Sequence, residues 1–226
     1  MNIIVFASRK GGSGKSTLAA HISAQASKSV GPCLLIDADP QGSVTLWHNL
    51  RRSTQPALRS GARGILDVVK AAKNDGYQWT FIDTPPNMSA VVTDAIGSAT
   101  LLVVPARLAL FDLAAIRETI DLARQSRTPY VVVINAAPAR RDNVEASFVS
   151  EMREAIARLS VPVWAGQITN RADYAHALVS GQGANEFDAK SQAAGEVARL
   201  WSAIERSVKA IQGHYRNARA MHHVAA

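Results

Sequence analysis

Between an apolar run and a helical pattern, the chain reads Lys10-Gly11-Gly12-Ser13-Gly14-Lys15-Ser16-Thr17. The run Ile3–Ala7 is typical of a buried strand, and Leu18, Ile22 and Ala26 recur on one face of a helix. A strand, a glycine-rich turn that ends in Lys-Ser, and a helix form the context of a phosphate-binding loop. Glycines let backbone N–H groups curl around an anion, and the helix N-terminus adds its positive dipole. The stretch therefore predicts a site for a nucleoside triphosphate.

The side chains of this loop have distinct expected roles. Lys15 would lie against the β- and γ-phosphates, the Ser16 hydroxyl would bind Mg²⁺, and Thr17 would donate beside the α-phosphate. An ordinary glycine turn is the alternative, but it leaves the flanking strand and helix unexplained. The predicted cofactors are ATP and Mg²⁺. The predicted phosphate-binding residues are Gly11, Gly12, Ser13, Gly14, Lys15, Ser16 and Thr17.

Composition limits the class of protein. The 226 residues are 47% hydrophobic, which suits one large α/β domain, and we expect that domain to span 1–212 with a flexible basic tail over 213–226. The net charge of +7 favours an anionic partner such as nucleic acid or an acidic membrane surface. The single cysteine, Cys33, excludes a disulfide framework and a four-cysteine metal cluster. The chain opens with a strand pattern and has no membrane-spanning apolar run, so we expect a cytoplasmic protein.

Short apolar runs alternate with helical patterns along the chain. This alternation predicts an α/β fold of the P-loop NTPase type, a mostly parallel twisted sheet with helices on both faces. Ligands of such sheets bind beyond the carboxyl ends of the strands, where this chain places most of its polar residues. The predicted strands are Asn2–Ala7, Cys33–Asp37, Thr80–Asp83, Leu101–Val104, Tyr130–Asn135 and Val161–Gln167.

Three aspartates stand at these strand ends. Asp83 closes an apolar strand, the Walker B position, where a carboxylate can hold the Mg²⁺ shell; a turn or helix-capping aspartate is the alternative. Asp37 and Asp39 follow the second strand. We interpret Asp37 as a residue that contacts the ligands of the metal rather than the metal itself, with a structural cap as the alternative. We interpret Asp39 as the group that orients the attacking water. The predicted metal set is Ser16, Asp37 and Asp83, and the catalytic set is Lys10, Lys15 and Asp39.

The two lysines that bracket the loop resemble the deviant Walker A motif of the ParA/MinD family. The segment Ile36–Gly42 is similar to the next motif of that family. The resemblance implies that Lys10 crosses an ATP-bound dimer interface, although a solvated charge is the alternative, and that Asp39 serves hydrolysis. It also implies that Asn135 contacts adenine, an amide that could otherwise close its own turn.

The resemblance is nearest to small, ParF-like partition or positioning ATPases. It implies a homodimer on ATP, non-specific binding to nucleoid DNA, and a ParB-like or other adaptor that stimulates hydrolysis to move a plasmid, a chromosome or a protein cluster. The pattern of Glu196–Glu205 predicts a helix with a basic outer face. The DNA contacts that we expect, each with a solvated surface charge as its alternative, are Arg171, Lys190, Arg199 and Arg206.

A MinD-like ATPase that cycles on and off membranes is the second hypothesis. It would depend on the weak apolar stripe of Val208, Ile211, Tyr215 and Ala218, which Gly213 interrupts and which lacks bulky anchors. We therefore consider membrane binding the weaker hypothesis. A metabolic ligase on the same loop would need a second substrate motif, and we find none.

Overall fold

Six parallel strands form a single sheet in the computed structural model, which describes residues 1–62, 64–107, 112–142 and 144–224, with side chains for all of these except 112–113 and 215–224. The strands are β1 Asn2–Phe6, β2 Leu34–Asp37, β3 Ala57–Ser60, β4 Trp79–Asp83, β5 Leu101–Ala106 and β6 Tyr130–Ile134. Their order across the sheet is β3-β2-β4-β1-β5-β6.

Helices cover both faces of this sheet, because side chains of a buried strand alternate between its faces. Ile4 and Phe6 of β1 pack into one apolar cluster, and Ile3 and Val5 pack into a second. In the described part of the chain the helices are α1 Lys15–Val30, α2 Ser43–Asn49, α3 Ile65–Asn74, α4 Ala90–Ser98, α5 Asp112–Gln125, α6 Ser147–Ala157, α7 Ala172–Val179, α8 Ala184–Phe187 and α9 Gln192–Val224. The first cluster includes residues of α1, α2, α7, α8 and α9, and the second includes residues of α3 to α6. The predicted fold class is confirmed.

Two of the strand assignments need correction. The edge strand β3 was not predicted, because only half of its Ala-Leu-Arg-Ser sequence is apolar. The predicted strand Val161–Gln167 is wrong: within it only Val163 makes a bridge, to Val132 of β6. Pro162 has no N–H to extend the ladder before Val163, and beyond it the Trp164 and Gly166 carbonyls accept hydrogen bonds from Arg153 at 2.8 and 2.7 Å, so no regular ladder forms.

The last helix, α9, joins the C-terminal residues to the core. Its apolar face carries Val197, Leu200 and Ile204, all buried as the helical spacing predicts, and Trp201 packs edge-on to Trp79 of β4 with ring centroids 4.8 Å apart. The helix continues to Val224 and so enters the stretch 213–226, whose flexibility stays a prediction.

The stripe that the membrane hypothesis needs is partly used for packing. Val208 is buried in the core and Ile211 is half-buried against it, while the side chains of Tyr215 and Ala218 lie outside the described ones. Over the residues that the structure covers, no helix is long and apolar enough to cross a bilayer.

Candidate nucleotide-binding site

The glycine-rich loop lies between the end of β1 and the start of α1. Gly12 has a φ of 70° and Gly14 a φ of 104°, in the left-handed region that side chains with a Cβ seldom adopt. Lys10 is exposed where the loop begins, and Lys15 opens α1 as a buried residue. The N-terminal N–H groups of α1 therefore face the loop, as a phosphate cradle requires.

A cavity of about 660 Å³ opens directly over this loop. Its wall includes Lys15, Ser16 and Thr17 from the start of α1, Asp39 from the end of β2, and Pro86 from the loop after β4. Burial lowers the pKa of Lys15, and the neighbouring Asp83 and Asp39 oppose that shift. The cavity thus brings together groups that the sequence distributes over three strand ends.

Asp83 ends β4 as a fully buried carboxylate. Neither of its side-chain oxygens has a hydrogen-bond partner of normal geometry in the described structure. Burial raises the pKa of Asp83 to about 7; Asp37 and Asp39 add to the rise, and the nearby Ser16 hydroxyl and the Lys15 ammonium oppose it. Such a buried, unpaired carboxylate is costly unless a cation or a proton neutralises it.

The Asp83 and Ser16 pair fits Mg²⁺ by its chemistry. Mg²⁺ in nucleotide sites takes one or two protein oxygens and fills its other positions with phosphate oxygens and water. In the part of the chain that the structure describes, no group of three or more His, Cys, Asp or Glu side chains could form a separate metal centre. The chemistry of Ser16 and Asp83 fits a cation that is held together with the nucleotide.

Asp37 lies opposite Asp83 in the register of β2 and β4, but its surroundings differ. Its Oδ2 accepts hydrogen bonds from the backbone N–H of Thr45 at 3.0 Å and the Thr45 hydroxyl at 2.5 Å. Its Oδ1 accepts one from the backbone N–H of Asp39 at 3.2 Å. The side chain therefore holds the first turn of α2, the structural role that was its alternative, and its proposed place behind the metal stays a prediction.

Asp39 projects into the cavity from the turn that precedes α2. Its Oδ1 accepts a hydrogen bond from the backbone N–H of Gln41 at 2.9 Å, and its backbone carbonyl accepts one from Gly42 at 2.9 Å. These bonds fix the carboxylate on the wall of the cavity that the glycine loop also lines. The position suits the water-orienting role that we predict for it.

Asn135 contacts the loop itself. Its side-chain Nδ2 donates a hydrogen bond to the Ser13 carbonyl oxygen at 2.7 Å, and the residue is buried. The amide therefore neither closes its own turn nor lies free in an empty base pocket. Its contact with adenine stays a prediction.

The predicted DNA-contacting residues lie on α9 and on the loops beside its start. Lys190, Arg199 and Arg206 are exposed, whereas Arg171 donates from Nε to the buried Glu196 at 3.2 Å. Arg171 and Arg199 line a second cavity, of about 610 Å³, together with Arg140, which sequence reasoning did not single out.

Sequence reasoning also missed Arg107, an exposed residue just after β5 that lines the main cavity. Its position after a strand end was the available signal, since the other site residues share it. The sequence also gives no signal for the ion pair between Arg51 and Glu186. Arg51 Nη2 donates to Glu186 Oε1 at 2.8 Å, and Arg51 Nη1 donates to Glu186 Oε2 at 2.9 Å. This ion pair ties the end of α2 to α8.

A parallel sheet whose first strand runs through a left-handed glycine loop into a helix defines a P-loop nucleotide-binding protein. The model of the CobQ/CobB/MinD/ParA nucleotide-binding domain matches residues 4–184 of this chain. The chain belongs to that family, so the ParA/MinD resemblance is confirmed, and with it membership of a family of ATPases.

Two curated relatives illustrate the similarity. The maintenance of carboxysome distribution protein A of Halothiobacillus neapolitanus is 26% identical over 198 residues, which cover 85% of this chain and 91% of that protein. The chromosome-partitioning ATPase Soj of Thermus thermophilus is 26% identical over 159 residues, which cover 56% of this chain and 64% of Soj.

Solved structures show the same fold. Apo McdA of Cyanothece has a TM-score of 0.73 at 16% identity, and the match covers 92% of this chain and 99% of McdA. The septum site-determining protein MinD of Pyrococcus horikoshii, complexed with Mg-ADP, has a TM-score of 0.74 at 15% identity, covering 90% of this chain and 95% of MinD.

Proposed function

We propose that this chain is a partition or positioning ATPase that dimerises on ATP, binds nucleoid DNA without reading its sequence, and moves a cargo with an adaptor that stimulates hydrolysis. The observation that carries the proposal is the shared cavity of Lys15, Ser16 and Asp39 over the glycine loop. Its curated relatives include a carboxysome distribution protein and a chromosome-partitioning ATPase. A protein cluster, a plasmid or a chromosome would each suit as cargo.

Each site residue has a part in hydrolysis. Lys15 binds the β- and γ-phosphates and neutralises the charge that develops between them. Ser16 and Asp83 would hold Mg²⁺, which would supply further neutralisation of phosphate charge. Asp39, fixed by the Gln41 N–H, accepts a hydrogen bond from the attacking water and orients it towards the γ-phosphate.

Lys10 completes the site from a second subunit. It is exposed at the mouth of the loop, and ATP held between two subunits would bring the lysine of each to the nucleotide of the other. We therefore expect Lys10→Ala to bind nucleotide as a monomer but to lose the ATP dimer and turnover. Lys15→Gln should abolish nucleotide binding altogether.

DNA binding rests on what we name the basic surface, composed of Arg171, Lys190, Arg199 and Arg206. Arg199 and Arg206 are seven residues apart on α9, two turns along one exposed face. Each neutralised phosphate releases counterions, so log affinity should fall with log salt by about 0.9 per contact. The few contacts of one subunit bind weakly, and the dimer doubles them, which makes the binding dependent on ATP.

The packing of α9 favours DNA over a membrane as the anionic partner. A membrane-binding face needs exposed apolar residues beside the basic ones. Val208 is instead buried, and Ile211 is half-buried against the core.

The test is a salt titration of binding to two unrelated DNA duplexes, with ADP and with a slowly hydrolysed ATP analogue. We expect binding only with the analogue, equal for both duplexes, and a salt slope of the dimer that falls by about 1.8 in Arg206→Ala, because one contact is lost in each subunit. Arg52→Ala is the matched control, because it removes an equal charge at an exposed position outside the basic surface. Equal binding with both nucleotides, a strong preference for one duplex, or flotation with anionic liposomes in place of DNA binding would refute the proposal.

The proposed role of Asp39 in ATP hydrolysis is tested with Asp39→Ala. It should bind ATP and form the dimer, yet hydrolyse roughly 10²–10⁴-fold more slowly, because only the water-orienting group is lost. Normal turnover, or loss of ATP binding, would assign this role to another residue.

A further inference from the structure

One side chain from the far end of the sheet supports the glycine loop. Asn135 follows β6, and its Nδ2 donates to the backbone carbonyl of Ser13, 122 residues earlier in the chain, at 2.7 Å. Asn135 is 5% exposed and Ser13 is 1% exposed, so water does not compete for this bond. A buried hydrogen bond of this kind fixes the orientation of the peptide that accepts it.

Gly14, the next residue of the loop, leaves room for the same amide. A Cβ on Gly14 would overlap Asn135 Nδ2, and Gly14 also has a φ of 104°. Glycine is thus required at this position for two separate reasons, the backbone conformation and the space that the amide fills. Asn135 contacts two consecutive residues of the loop, immediately before Lys15.

The backbone of Asn135 is itself held in place. Its N–H donates to the Ala106 carbonyl at the end of β5 at 2.8 Å, and Ala137 donates to the Ile168 carbonyl at 3.0 Å. The amide therefore extends from a fixed point on the sheet. A fixed support can impose a shape on a glycine-rich loop that has little rigidity of its own.

We propose that Asn135 is a positioning residue for the phosphate loop: its amide holds the Ser13–Gly14 peptide so that the backbone N–H groups face the phosphates. This inference rests on the proposed nucleotide site but gives Asn135 a function that is independent of the base. A residue that reads adenine favours ATP over other nucleotides. A residue that shapes the loop affects every ligand with the same phosphates.

The experiment compares four ligands in the presence of Mg²⁺: ATP, GTP, ADP and inorganic triphosphate. Asn135→Asp keeps the shape of the side chain but replaces the donor with an acceptor that faces the Ser13 carbonyl. We expect Asn135→Asp to lower affinity for all four ligands by at least about tenfold, because one buried hydrogen bond is lost and a negative charge is added near the phosphates, with the ATP-to-GTP ratio unchanged. Asn135→Ala, which adds no charge, should show a uniform loss of about tenfold and is the second variant if the first does not fold.

The matched control is Asn185, a buried asparagine on α8 whose amide has no hydrogen-bond partner in the described structure. Asn185→Asp and Asn185→Ala should leave affinity for inorganic triphosphate unchanged, because Asn185 makes no hydrogen bond to the phosphate loop. A loss confined to ATP and ADP, or unchanged affinity for inorganic triphosphate in both Asn135 variants, would overturn the inference. If the unaltered protein binds none of the four ligands, the proposed nucleotide site fails instead.

Discussion

Asp37 and Asp83 lie side by side at the ends of β2 and β4, yet they differ in their hydrogen bonding. Asp37 accepts three hydrogen bonds, two from Thr45 and one from the Asp39 N–H. Asp83 is fully buried and accepts none of normal geometry in the described structure. Two carboxylates in register across a sheet therefore belong to two different tasks.

This difference indicates that the Asp37 carboxylate stabilises the fold, whereas the Asp83 carboxylate is available to a ligand. Hydrogen bonds that satisfy Asp37 stabilise α2, which in turn carries the cavity wall. An unsatisfied Asp83 costs folding free energy in the absence of a ligand and so favours the binding of a cation. Substitutions at the two positions should consequently separate turnover from stability.

The largest expected effect is on turnover in Asp83→Asn. The loss of the carboxylate should slow ATP hydrolysis on the order of 10³-fold, because a bound metal supplies several kcal/mol of transition-state stabilisation. The free energy of unfolding of the nucleotide-free protein should change little, because the desolvation cost of the carboxylate and its attraction to Lys15 are lost together. Steady-state ATPase assays and urea unfolding measure the two quantities. Retention of more than a tenth of the activity would show that Asp83 does not hold the metal.

Asp37→Ala should have the reverse profile. The removal of three hydrogen bonds at the start of α2 should lower the free energy of unfolding by about 2 kcal/mol, within the range for a lost helix cap and buried charged hydrogen bonds. The dependence of turnover on Mg²⁺ concentration should stay close to that of the unaltered protein. A large shift in that dependence with normal stability would place Asp37 beside the metal instead.

The pH dependence of the nucleotide-free protein should report Asp83. Burial raises its folded-state pKa to about 7, above the ordinary value of 3.8, so the folded chain binds this proton more tightly than the unfolded chain does. The resulting stabilisation is complete below about pH 4 and is lost as the pH rises to about 7. Mg²⁺–ATP binding should strengthen over the same range by up to about tenfold per pH unit, because the ligand requires the carboxylate.

The matched measurement uses Asp83→Asn, in which both pH effects should disappear. Urea unfolding at several pH values and titration with Mg²⁺–ATP are compared for the two proteins. If the variant keeps the same pH dependence as the unaltered protein, another group titrates in this range.

The smallest effect tests one of the three bonds to Asp37. Thr45→Val removes the hydroxyl donor and keeps the backbone donor, so we expect a loss of about 1 kcal/mol in the free energy of unfolding. Thr93→Val is the matched control, because Thr93 also lies in the first turn of a helix, but it is exposed and its hydroxyl donates to the Ser89 carbonyl. Equal losses in the two variants would mean that the Asp37 contact adds nothing specific.

Sequence reasoning predicted the parts of the fold that depend on local pattern. Continuous apolar runs identified five of the six strands, and the glycine loop located the site because its residues are consecutive. Edge strand β3 escaped prediction because Arg59 and Ser60 interrupt its apolar pattern. The segment around Pro162 was assigned as a strand because its composition matches one, although its backbone cannot complete the ladder.

Roles that depend on a distant partner could not be predicted from the sequence. Nothing near Asn135 indicates that its amide meets Ser13, and nothing near Arg171 indicates that Glu196 accepts its hydrogen bond. Asp37 and Asp83 are likewise both aspartates at strand ends. Only the start of α2, folded back over β2, distinguishes a satisfied carboxylate from an unsatisfied one.

The intrinsic fluorescence of the tryptophans can report on two regions of this chain. Trp47 lines the nucleotide cavity beneath the guanidinium of Arg51, 4.5 Å from its ring centroid. Trp201 of α9 packs on Trp79 of β4, and neither lines that cavity. A ligand that enters the site alters the surroundings of Trp47, whereas detachment of α9 alters the emission of Trp201 and Trp79. Tryptophan fluorescence of the unlabelled protein can therefore distinguish ligand binding from detachment of α9.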